Sequence, residues 1–156
     1  MSTVNEDRLA EVDRHVTDAA NATAQRHPGF ATAIRHSVDR LRGGLTLAHS
    51  RAEAVDDAAW SSYVTDLDAG LDELDKEIGR AADGAIPGTS VDDVLTIHLT
   101  GIELQGWRLQ VSLPGVQPRL TAAELQLQRY ASACATGVPK PAAALADAMT
   151  DLRAAA

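Results

Sequence analysis

Leu95-Thr-Ile-His-Leu-Thr-Gly-Ile-Glu-Leu-Gln-Gly-Trp-Arg-Leu-Gln-Val-Ser-Leu113 places an apolar side chain at nearly every second position, with slips of phase at Gly101 and near Gly106. Alternation is the period of a strand, whose successive side chains point to opposite faces. With Thr100-Gly101 as a two-residue loop, Leu99 falls opposite Ile102 and Ile97 opposite Leu104, so that all four share one sheet face. A second turn or bulge at Gln105-Gly106 lets Trp107, Leu109, Val111 and Leu113 continue that face. The competing reading is a buried helix capped by Ser90, with Asp93 three residues on. The ribbon is preferred because a helix here is apolar on every side, and no alanine occurs between Ala85 and Ala122 to ease its packing.

Outward from this stretch the hydrophobic rhythm is helical. Leu9, Val12, Val16, Ala19 and Thr23 recur at steps of three and four in a helix from about Val4 to Arg26, which His27-Pro28-Gly29 ends. Phe30, Ile34, Val38, Leu41, Leu45 and Ala48 form the stripe of a second helix, from about Phe30 to Arg51. Gly43-Gly44 inside it marks a kink, a break or a very close helix contact. A third helix, from about Ala52 to Asp83, carries a long seam through Trp60, Val64, Leu67, Leu71, Leu74, Ile78 and Ala81. The sequence does not decide whether helices two and three are continuous near Arg51. Gly84 to Ser90 reads as a linker. Thr121-x-x-Glu124 is a capping box that opens a further helix, terminated by Gly137, and the last helix runs through Leu145, Met149 and Leu152.

The fold class expected is therefore α+β and predominantly helical: a bundle carrying a β-hairpin or ribbon at about residues 94–113, with an all-α bundle as the alternative. At 156 residues and 45% hydrophobic content, one domain is expected. Its parts are N-terminal helices over about 4–83, the ribbon, and C-terminal helices over about 121–154. Aromatic residues make up only 3%, which calls for close packing through Ala, Leu and Val.

The formal charge of −8 opposes direct binding to nucleic acid, and no apolar run is long enough to cross a bilayer. The polar N-terminus (Ser2, Thr3, Asn5, Glu6, Asp7, Arg8) lacks a signal-peptide layout, and Cys134 has no partner for a disulfide; a cytoplasmic location is expected. Charge is segregated: Arg35, Arg40 and Arg42 on the second helix oppose Asp66, Asp68, Asp72 and Glu73 on the third. Packed antiparallel, such faces select register more than they add stability.

Chemistry is harder to find. His and carboxylate pairs at helical spacing (Glu11/His15, His36/Asp39, His49/Glu53) are as frequent as chance provides, and no paired Glu-x-x-His or His-Glu-x-x-His motif accompanies them. The order of ligands around Gly70 is wrong for a calcium loop. Neither a nucleophile motif nor a phosphate loop is present, and Cys134 lies on an apolar stripe, as a buried structural thiol does. No catalytic residue, metal or cofactor is expected. The one polar group of interest is His98 with Glu103 and Gln105, on the outer face of the ribbon, with Trp60 and Trp107 as anchors or pocket walls. These features lead to a non-catalytic interaction or assembly subunit. It docks a protein partner or a second copy through the charged helices and a sheet edge, with no nucleic acid or membrane involved. The alternative is a small-ligand-binding protein or minor enzyme built around His98 and Glu103.

Overall fold

In a computed structural model, residues 3–156 are described. The helices are α1 (Val4–Arg26), α2 (Ala31–Ala48), α3 (Asp57–Ala82), α4 (Val91–Arg108), α5 (Val116–Thr136) and α6 (Ala142–Arg153). No strand occurs among the described residues. The ribbon expected at residues 94–113 is thus incorrect: most of it is α4, followed by turns through Leu113.

The reason lies in α4's position. It packs against α2, α3 and α5 at once, so it has no solvent face wide enough to show an amphipathic stripe. Val91, Val94, Leu95, Leu99 and Ile102 belong to the core shared with α1, α2 and α3. Leu104 and Trp107, with Ile97 alongside, belong to a second core with α5 and α6. Residues two apart on a helix are separated by about 200°, so two opposed stripes offset by two positions interleave into an every-second-residue pattern. The property used to reject a helix, apolarity all round, is what its central place requires.

Helix pairing follows from the contacts. α1 lies beside α2 and α3, and α4 closes the four-helix body from the other side, so α2 and α3 stand diagonally rather than as a hairpin. α1 and α3 run parallel, since Glu11 meets Trp60, His15 meets Asp68 and Arg26 meets Asp75. α5 and α6 form a hairpin laid on α4 and the edge of α2. The segment 49–56 breaks α2 from α3, and buried Arg8 ties it down. Arg8 donates to the Ala52 and Val55 carbonyls and to Asp57, with its guanidinium 5.0 Å from the Trp60 ring centroid.

Local signals set most ends. Thr3 and Glu6 make a reciprocal capping box on α1, and Ser90 and Asp93 do so on α4. Gly137, in the left-handed region at φ 74°, ends α5 as its sequence predicts. The Thr121/Glu124 box is not a cap. α5 starts five residues earlier, with Pro118 in its first turn, where the missing N–H is no loss, and Thr121 Oγ1 donates back to the Gln117 carbonyl. None of the described helices is long and apolar enough to cross a membrane.

Candidate functional site

Glu103, Asp93 and His49 are among the polar side chains buried inside the apolar framework. Glu103, 2% exposed, accepts from Arg153 Nη2 at 2.6 Å, from Arg153 Nε at 2.9 Å and from Trp107 Nε1 at 3.1 Å. Its carboxylate rests on the backbone of Gly44, so the very close helix contact read from Gly43-Gly44 is real and belongs to Gly44. Asp93 caps α4 and accepts from Tyr130 Oη at 2.8 Å and from Lys140 Nζ at 2.7 Å. Burial pushes the Asp93 carboxyl up, but hydrogen bonds from Lys140, Ser90 and Tyr130 outweigh it and bring the group down to about 2.

The third group is His49, fully buried, whose Nε2 lies 2.8 Å from Tyr63 Oη, with the Trp60 and Tyr63 rings set edge-on around it. Desolvation pushes its imidazole down from 6.5 to about 4. Below pH 6.5 the unfolded chain takes up a proton that the folded chain refuses. Stability from this group is therefore complete above 6.5 and is lost progressively as the pH falls towards 4. Between pH 6.5 and about 5 the loss amounts to about 2 kcal/mol. His98, also lowered by burial against the opposing pull of Glu77 and Glu73, adds in the same direction. Chemical denaturation of the chain and of His49→Phe at about pH 7 and pH 5 checks this. The variant should lose most of the pH dependence, and an unchanged dependence assigns it to other groups.

The five ligand-binding residues expected from sequence do not converge. On a helix, His98 and Glu103 point to different sides: His98 turns towards Glu73 and Glu77 of α3, and Glu103 towards α2 and α6. Gln105 lines a shallow surface between α3 and α4, and Trp60 sits with His49 and Tyr63. Only Trp107 stays with Glu103, as its hydrogen-bond donor. Of the charged residues, Arg42 pairs with Asp13 and Asp39, and Asp68 with His15. Arg35, Arg40, Asp66, Asp72 and Glu73 make no ion pair among the described residues. Cys134 is buried, and desolvation raises its thiol.

What the fold does build is a cleft under α6. Lys140, just ahead of α6, is bonded to Asp93 at the start of α4, and Arg153, at the end of α6, is bonded to Glu103 two to three turns further along. Between these two pins α6 stands off from α2 and α4. The space holds about 250 Å³, bordered by Arg40, Thr96, Thr100, Tyr130, Leu145 and Met149. An adjoining recess of about 100 Å³ shares Arg40, Thr96, Thr100 and Arg153 and reaches Ser37 and Glu103. The sequence shows Arg40 within a basic run and Glu103 within an apolar one. Arg153 stands four residues after Met149 on an apolar stripe, where a lone arginine signals a buried partner.

Among the described residues, no group of three or more His, Cys, Asp or Glu side chains is placed to hold a metal ion. No family model matches the chain, and no curated protein or solved structure is significantly similar to it.

Proposed function

We propose that this chain is a non-catalytic binding protein that seats a small molecule between α6 and the face formed by α2 and α4. The observation that carries the reading is the double pinning of α6. Charge pairs hold it at both ends, while the space between them is left unfilled by side chains and is lined by polar groups above an apolar floor. The lining offers hydrogen-bond donors rather than a nucleophile beside a base, and the Glu103 carboxylate has both oxygens engaged. Binding without chemistry is what such a lining supports. Amide-shift mapping with a set of small cationic, neutral and anionic fragments is the test. Shifts should cluster at Ser37, Thr96, Thr100, Ala146 and Thr150, and Thr100→Phe, which fills the space, should abolish them. Scattered shifts, or shifts that survive Thr100→Phe, reject the reading.

A second reading, assembly through charged surfaces, is favoured by α3, where Asp66, Asp72 and Glu73 are exposed and make no ion pair among the described residues. A protein partner with a basic face, or the Arg35 side of a second copy, would complement it. Sedimentation at low and high salt decides the self-association form, because screening weakens such contacts. A monomer indifferent to salt removes it.

A further inference from the structure

We infer that the molecule seated under α6 is a small carboxylate with a short aliphatic tail, an assignment that rests on the binding reading above and specifies its ligand. The argument begins with charge. Arg40, Arg153 and Glu103 are the ionisable residues that border the larger space and its recess, apart from the tyrosine hydroxyl. Glu103 is neutralised by the two-pronged bond from Arg153, so the charge of Arg40 stands unbalanced at a concave surface of a chain whose net charge is −8. An isolated guanidinium is matched by a single negative charge, and its fork geometry fits two carboxylate oxygens side by side.

The hydrogen-bond inventory points the same way. Among the described residues, Arg40 has all its donors uncommitted, Arg153 has Nη1 to spare, and the Ser37 and Thr100 hydroxyls have no partner. Thr96 and Thr150 already donate to carbonyls of their own helices. The uncommitted guanidinium donors of Arg40 and Arg153 suit a ligand head that accepts, as an ionised carboxylate does and an ammonium does not. Leu41, Leu95 and Leu99 on one wall and Leu145 and Met149 on the other supply the apolar remainder. The space, at about 250 Å³, is smaller than the roughly 300–1,000 Å³ of drug-sized pockets, which limits the tail to a few carbons.

Titrations of the full chain with hexanoate, hexanol, hexylammonium and inorganic phosphate, read by amide shifts at Thr96 and Thr100, test the assignment. Hexanoate is expected to bind about 10- to 100-fold more tightly than hexanol, the range that a charge-assisted hydrogen bond supplies, and hexylammonium is expected not to bind. Arg40→Gln should lower hexanoate to the level of hexanol and leave hexanol unchanged. Because Arg40 is exposed and makes no ion pair among the described residues, this variant should keep the stability of the parent in chemical denaturation. Equal binding of hexanoate and hexanol at these amides, or phosphate binding more tightly than hexanoate, overturns the carboxylate while the binding site stands. If no probe shifts the cleft amides and the fragment set also fails, the binding reading falls as well.

Discussion

Glu103→Ala is expected to lower the stability of this chain by about 3–5 kcal/mol, the range found when one member of a buried charge pair is removed. The loss has three sources. The Arg153 guanidinium stays half-buried without its counter-charge, the fully buried Trp107 keeps an N–H with no acceptor, and a carboxylate-sized space opens beside Gly44. For a domain whose total stability is about 5–15 kcal/mol, that is a large share. It should also loosen the C-terminal end of α6, which this pair helps hold to α4. Replacing both residues by methionine should recover much of the loss, because an apolar pair has no desolvation cost to offset. Urea denaturation of the parent, Glu103→Ala and Glu103→Met/Arg153→Met measures all three. A single variant costing less than about 1 kcal/mol would show that the pair behaves like an exposed one.

Gly44→Ala should be as damaging for the opposite reason. A Cβ at Gly44 would lie 2.6 Å from Glu103 Oε2 and nearer still to Oε1 and the carboxyl carbon, a distance no real side chain tolerates. The carboxylate must leave Arg153 and Trp107, or α2 and α4 must separate. Overpacking alone costs about 1–3 kcal/mol, and the broken charge pair adds to it. Two controls make the cause visible. Gly43→Ala, one residue earlier with open space around its Cβ, should instead gain up to about 1 kcal/mol from helix propensity. In a Glu103→Ala background, Gly44→Ala has the vacated carboxylate space to occupy. The double variant should then be no less stable than Glu103→Ala alone, so that the coupling equals the whole cost of the single Gly44→Ala variant. Additive effects would mean that the glycine answers to some other neighbour.

Glu103 and Trp107 made the cleft under α6 half visible in the sequence. Glu103 stood out as a charged residue within an apolar run, and Trp107 as a rare large ring; they do meet, as i and i+4 on one helix. His98 was grouped with Glu103 because a ribbon would set them on one face, and that grouping dissolved with the ribbon. Arg40 reads in the sequence as part of a basic run, with nothing to show that it borders the cleft under α6. Arg153, Thr96 and Thr100 carried too little local signal to be connected with residues fifty positions away.

Where a helix has water on one side, the order of residues was enough to reveal it, although not where α3 and α5 begin. The stripes of α1, α2 and α3 contrast buried and wet positions along a single element, and capping residues, prolines and Gly137 mark where turns must come, because those effects act within a few residues. α4 has no wet side, so its pattern records neighbours on three sides superposed, and a sum of two stripes is indistinguishable from alternation until the neighbours are known. Which helices touch, why Gly44 must lack a side chain and where α6 is pinned depend on pairs distant in the chain. Only the packed chain brings those groups within reach of each other.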